Sequence, residues 1–276
     1  MASRRSAPCL SKVILSRPKS RRPKTIMRLS DERHCLIAAE ARLPPDAARQ
    51  LREIGFTVML GPAIPGGCEG LSDAYDRAVA MADPTDVHVG RTRSSTRISD
   101  FVNRGSEFDG IYTYPPLLAA CRQIIGGPFK LSGMRARTLN PGALTERLDV
   151  DVKHRADGWP LVGCILMVDA FDAENGATRF VPGSHRSAQE PSDVMSNPQD
   201  AHDEQVLACG PAGSIIIFNA SVWHSHGANR SDRSRRSIQA HFCRREARAA
   251  PDDHSRRMRP ETLQRISDLA KYVLNV

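Results

Sequence analysis

From position 174 the chain reads Glu174-Asn175-Gly176-Ala177-Thr178-Arg179-Phe180-Val181-Pro182-Gly183-Ser184-His185. Asn-Gly is a strong short-range hairpin signal, because the favoured two-residue turns need positive φ. Ala177–Val181 after it has strand character. Further short strand-like runs lie on both sides: Phe129–Leu139 and Leu161–Asp169 before it, Val206–Leu207, Gly213–Phe218, Val222–His226 and Ser237–Cys243 after it. In the last of these, Ile238, Ala240 and Phe242 alternate with Ser237, Gln239 and His241, the period-two pattern of a half-buried strand. No GxGxxG and no strand–helix alternation occurs in this half, which disfavours a dinucleotide-binding fold.

The part of the chain before Phe129 has a helical texture. Pro44-Pro45-Asp46 precedes a stretch containing Ala47, Leu51 and Ile54, and Gly55 ends it. Phe56–Leu60 reads as a strand, Gly70–Ala82 as a helix through Leu71, Tyr75, Ala78 and Met81, and Pro115–Ile125 as another helix. Residues 84–110, with Arg91, Arg93 and Arg97, show no period and are expected to form a long loop, a binding loop or a solvated excursion. Helices first and short strands afterwards predict an α+β fold with a β-sandwich or jelly-roll core.

Composition bounds the rest. The chain has 276 residues, 40% of them hydrophobic, and no run of eighteen apolar residues, so no membrane span is expected. Aromatics at 5% argue against a stacking platform for single-stranded nucleic acid. The net charge of +8 is local: residues 1–28 hold nine Lys or Arg and no acid, leaving 30 bases against 31 acids elsewhere. Residues 1–26 are expected to be a disordered basic tail, since they lack the apolar residues to offset ordering entropy. The rest, 27–276, is expected to be one domain. The tail has three further readings: an arm for nucleic acid or an anionic surface, an organelle presequence, or a start placed ahead of Met27. Seven cysteines without a CxxC pair suit a reducing, cytoplasmic compartment.

Two segments place chemistry in strand-like contexts. In Leu148-Asp149-Val150-Asp151-Val152-Lys153-His154, alternation puts Asp149 and Asp151 on one face. Two carboxylates there repel unless a cation or proton lies between them, or unless the face is simply solvated. In Val222-Trp223-His224-Ser225-His226, the two histidines share a face, and imidazole serves as metal ligand or general base. Arg235, within Arg233-Ser234-Arg235-Arg236, enters a strand, where an arginine can pair a carboxylate bidentately.

The chain from Phe129 to Arg244 resembles the phytanoyl-CoA dioxygenase (PhyH-type) family of iron(II)/2-oxoglutarate oxygenases. The resemblance rests on Leu148–Asp151, Trp159-Pro160-Leu161, Met167-Val168-Asp169, the Glu174–His185 stretch, Gly210-Pro211-Ala212-Gly213-Ser214, Trp223-His224, Gly227, Asn229-Arg230-Ser231 and Arg235. With a looser likeness in the helical part, it covers most of residues 43–244. It implies a double-stranded β-helix (a cupin-like jelly roll) flanked by N-terminal helices, and an HxD…H metal site. Transferred residue by residue, Asp151 is the metal carboxylate, His224 the distal histidine, and Arg235 the clamp on the far carboxylate of 2-oxoglutarate. Iron(II) is the implied metal and 2-oxoglutarate the co-substrate, with ascorbate a candidate reductant and a small organic molecule as substrate. His226 and Trp223 are candidates to lie behind the ligands or face substrate, and His185 is expected to be structural.

One position departs from the pattern: Asp149 stands where the family has its first histidine. Asp149 could ligate in that histidine's place, water could complete a two-residue site, or the chain could be an impaired, jelly-roll binding protein. His154 is a poor replacement, being on the other face from Asp151.

Overall fold

The computed structural model describes residues 41–83, 85, 89–153, 158–247 and 257–276. The basic tail of residues 1–26 and His154 lie outside the described residues. The chain enters through helix α1 (Pro45–Glu53), which starts with a proline where no hydrogen-bonded N–H is needed. It ends as expected at Gly55, whose φ of +89° is open to glycine without strain. Strand β1 (Phe56–Leu60), helix α2 (Gly67–Ala80) and helix α3 (Pro115–Ile125) follow the sequence reading within a few residues.

Among the described residues, ten strands form two antiparallel sheets. They are β1, β2 (Val89–Arg91), β3 (Ser95–Ile98), β4 (Phe129–Leu139), β5 (Leu161–Met167), β6 (Thr178–Phe180), β7 (Val206–Ala208), β8 (Ser214–Asn219), β9 (His224–His226) and β10 (Arg235–Arg244). The large sheet runs β1-β8-β5-β10-β4-β3-β2 and the small one β7-β6-β9. This is the α+β, jelly-roll arrangement that the alternation of short strands predicted.

Each long strand divides its side chains between two cores. On β8, Ile215 and Ile217 join the cluster packed under the helices, while Ile216 and Phe218 join the one shared with β6. Both faces of β8 are covered, which is why its sequence is a continuous apolar run rather than an alternating one. On β10, Ile238, Ala240 and Phe242 belong to the helix-side core. Period two then turns Arg235, Ser237, Gln239 and His241 to the inner face.

Three expectations need correction. Residues 84–110 are not one long loop: β2 and β3 pair antiparallel and β3 adds to β4, an edge that lacks a period because its strands are short and polar. Asn175-Gly176 does form a turn, but it does not join paired strands, since β5 belongs to the large sheet and β6 to the small one. Asp172 Oδ1 accepts the N–H groups of Glu174 and Asn175, and this turn carries the chain across the sandwich. Finally, the Leu148–His154 run is not a strand where it is described. Asp149 makes a single bridge to His224, and the N–H groups of Asp151 and Val152 both turn to the Ala220 carbonyl. The chain curls there, so alternation does not govern the directions of Asp149 and Asp151.

Candidate active site

A cavity of about 350 Å3 opens on the inner face of the large sheet, and Asp149, Asp151, His224, His226, His241, Arg137 and Arg235 are among its walls. β9 supplies the first imidazole. His224 Nδ1 lies 2.9 Å from the Val222 carbonyl. A carbonyl can only accept, so Nδ1 carries a proton and Nε2 is the nitrogen left to face another partner. The ring is held between Phe180, stacked at 5.6 Å, and Phe218 at 4.7 Å.

Nε2 of His224 faces Asp151 Oδ2 at 3.6 Å. A second imidazole, His241 on β10, brings its Nε2 to 3.2 Å from the same oxygen. Burial acts to raise the Asp151 pKa, but His224 and His241 outweigh it and hold the carboxyl well below its usual range. The sequence reading brought Asp151 and His224 together and missed His241, although the signal was present. His241 belongs to the polar half of an alternation already recognised, on the face of Arg235.

Asp149 behaves differently from its neighbour. Its backbone exchanges both hydrogen bonds with His224, at 3.0 and 3.1 Å, but its carboxylate is exposed and Oδ1 accepts the Val150 N–H at 2.9 Å. Trp223, just before β9, packs with Leu148 and Val181 and is not among the cavity walls. His185 is buried, with Nε2 3.3 Å from the Arg52 carbonyl and its ring beside Trp159, as a structural histidine should be.

The other end of the cavity is cationic. Arg235 is only 2% exposed. Its Nη1 donates to the Gly176 carbonyl at 2.6 Å, its guanidinium lies 4.1 Å over the Phe171 ring, and its buried Nε has no acceptor among the described residues. Burial first, and then the charge of Arg137, push its pKa down. The next residue shows what a satisfied arginine looks like here. Arg236, on the other face of β10, makes paired hydrogen bonds to Asp169 and a further one to Asp76.

Arg137 and Glu146, which sequence reasoning did not single out, complete this end. Glu146 pairs with Arg137 at 3.0 Å, Arg97 at 3.3 Å and His226 Nε2 at 3.3 Å. His226 is thus aimed at a carboxylate other than Asp151. Burial and the Arg137 charge push its pKa down to about 4. Arg97 reaches the cavity from β3, whereas Arg91 and Arg93 of the same segment are exposed and absent from its walls.

As they stand, the described residues contain no group of three His, Cys, Asp or Glu side chains that could hold a metal ion. Asp151 with His224 is nevertheless a fitting pair. Two adjacent ligands with bonds of about 2.1 Å stand about 3 Å apart at right angles and about 3.4 Å apart at a tetrahedral angle, so the observed 3.6 Å would close by a few tenths of an ångström on binding. An imidazole nitrogen facing a carboxylate also calls for a cation or a proton between them. The buried, unpaired nitrogen of Arg235 makes the matching demand for an anion.

The chain is similar to known proteins in sequence and in fold. The phytanoyl-CoA dioxygenase (PhyH) family profile matches residues 51–237. Dioxygenase trt7 of Aspergillus terreus is 26% identical over 211 residues, 71% of each chain. Dioxygenase andF of Emericella variicolor is 29% identical over 143 residues, so that the chain spans about half of that relative, 48% of each. Among solved structures, HygX from Streptomyces hygroscopicus with nickel and 2-oxoglutarate bound superposes with a TM-score of 0.56, covering 75% of this chain and 90% of that one at 15% identity, which establishes likeness of fold.

Proposed function

Because the chain belongs to the phytanoyl-CoA dioxygenase family, we propose that it is an iron(II)/2-oxoglutarate-dependent oxygenase hydroxylating a small organic substrate. The observation that carries this reading is the shared cavity: an unpaired, buried Arg235 at one end and the Asp151–His224 pair at the other. In it, Asp151 and His224 hold the metal and Arg235 pairs the far carboxylate of 2-oxoglutarate.

Bound iron(II) would supply the activation of dioxygen coupled to oxidative decarboxylation of 2-oxoglutarate, yielding succinate and carbon dioxide. This chain's own residues bind, orient and exclude. The Val222 carbonyl accepts from His224 Nδ1 and so turns Nε2 toward the cavity as the nitrogen that would ligate. The Phe171 ring and the Gly176 carbonyl hold the Arg235 guanidinium in one orientation. An incoming carboxylate therefore meets a donor already placed, at little further entropic cost. Glu146 offsets the charge of Arg137 and Arg97, whereas the fully buried Arg235 has no carboxylate partner among the described residues. Ile165, Phe218 and Cys164 form an apolar part of the wall that limits water.

The test is succinate formation from 2-oxoglutarate by protein loaded anaerobically with iron(II) and then exposed to air, together with 2-oxoglutarate affinity by calorimetry. Turnover that Arg235→Ala abolishes supports the reading. Absence of both turnover and 2-oxoglutarate binding in the parent protein overturns it in favour of a non-catalytic jelly-roll binding protein, the reading that Asp149 invites.

A further inference from the structure

His241 stands six residues beyond Arg235 on β10, and an even separation keeps both side chains on the inner face. Its cross-strand neighbours are both glycine: Gly133 on β4 and Gly163 on β5. At Gly133 a Cβ would meet nothing within 4 Å, and at Gly163 the place of a side chain is taken by the Phe218 ring. No side chain from either adjoining strand therefore flanks the imidazole in the ladder. Phe218 packs edge-on against His241, at 6.3 Å and 86°, and also contacts His224, so one ring supports both histidines.

Asp151 Oδ2 is the meeting point, 3.2 Å from His241 Nε2 and 3.6 Å from His224 Nε2. Taken singly, each separation suits adjacent ligands on one ion with bonds of about 2.1 Å; as placed, the three groups do not enclose a metal position, and an ion would have to draw the imidazoles inward. Asp149 is the competitor for the third position, but its carboxylate is folded back onto the Val150 N–H. Within the described residues it makes no ion pair with either imidazole.

Resting on the reading of this pocket as an iron site, we propose that His241 is the second imidazole ligand, through Nε2. The centre then comprises His224 from β9, His241 from β10 and Asp151 from the curled segment between β4 and β5. Two imidazoles and one carboxylate with open positions are the donor set of non-haem iron(II) oxygenases. Asp149 in the place of His241 would give a harder set of two carboxylates and one imidazole. In this chain the imidazole lost at position 149 is regained from a different strand.

The experiment is anaerobic iron(II) calorimetry on the metal-stripped full chain, with pulsed EPR of the iron(II)–nitric oxide adduct to count coordinated imidazoles. The parent protein is expected to show two. His241→Gln and His241→Ala should show one and lose at least about tenfold in iron(II) affinity. Asp149→Ala should retain two imidazoles and its affinity. Because the His241 variants could misfold, the count is repeated in His226→Asn, where two imidazoles are again expected and no change at His241 is needed. A single imidazole in the parent protein or in His226→Asn overturns the assignment. So does undiminished affinity in both folded His241 variants. Either result leaves iron binding, and with it the oxygenase reading, in place. No stoichiometric iron in the parent protein overturns both.

Discussion

Strand β10 and the segment 148–153 deliver side chains to the same cavity, yet they are held there by different means. β10 is hydrogen-bonded along both edges, to β4 and to β5, so register alone sets the direction of Arg235 and of His241. The 148–153 segment has one bridge, Asp149 to His224, and two N–H groups on a single carbonyl, that of Ala220. In a ladder, period two is enforced by every neighbouring hydrogen bond. Outside one, a few specific contacts aim each side chain, and adjacent carboxylates such as Asp149 and Asp151 can do unlike things. The chemistry here needs both kinds of support: a rigid wall carrying the cations and one imidazole, and a local curl that brings the carboxylate to them.

Asp151→Ala is the most damaging change expected at the curled segment. It removes the oxygen that both imidazoles address, and calorimetry should find stoichiometric iron(II) binding gone. The melting temperature near neutral pH should fall as well, since the folded protein holds this carboxylate in its charged form beside His224 and His241. Retained iron binding in this variant would move the centre elsewhere.

On the rigid side, Arg235→Met should weaken 2-oxoglutarate binding by about 2 kcal/mol or more, some thirtyfold, because the ligand carboxylate loses its buried partner. Without 2-oxoglutarate the same variant should melt no lower than the parent, as an apolar chain of similar length replaces an uncompensated buried cation. Arg236→Met, one residue away, should do the reverse, leaving 2-oxoglutarate affinity alone and lowering the melting temperature by stranding Asp169. If both variants behave alike, the distinction between the two faces of β10 is wrong.

Gly163→Ala probes the wall between these sites. The added Cβ would lie 2.1 Å from Phe218 Cζ, so the ring that supports His224 and His241 must shift. Overpacking of this kind costs about 1–3 kcal/mol, measurable by denaturant unfolding. A variant as stable as the parent would mean that the ring has room to spare.

The smallest effect is expected at Glu146. Burial raises its pKa, but Arg137 foremost, with His226 and Arg97, holds it below the ordinary value of 4.5. A carboxylate with a lowered folded pKa adds stability above its unfolded value and loses it as pH falls through the folded one. Stability should therefore decline on acidification below about pH 4.5, and Glu146→Gln should flatten that part of the curve in urea titrations taken at successive pH values. An unchanged slope would show that the arginines gain nothing from this carboxylate in the folded state.

Legibility in the sequence followed the same division. Helix α3 and strand β4 match their sequence readings residue for residue, since proline starts the one and glycines separate the two. That Arg235 enters a strand is legible in the sequence, whereas the pairing of its neighbour Arg236 with Asp169 is decided by the tertiary structure. Glu146 carries no local signal at all, because its meaning comes from Arg97, Arg137 and His226, which lie on three different strands. Adjacency to His224 places Trp223 near the ligands, yet it packs with Leu148 and Val181 instead of lining the cavity.

By itself the amino-acid order determined the longer strands β1, β4, β5, β8 and β10 and which of their residues turn inward, while resemblance to a family made Asp151, His224 and Arg235 candidates for one site. The strand readings depend on near neighbours, on a period of two and on the turn residues between elements. Tertiary structure alone decided that Asp149 bends away while His241 arrives 3.2 Å from Asp151, because that outcome depends on how β9, β10 and a non-repetitive curl meet in space, and no local pattern records where distant segments meet.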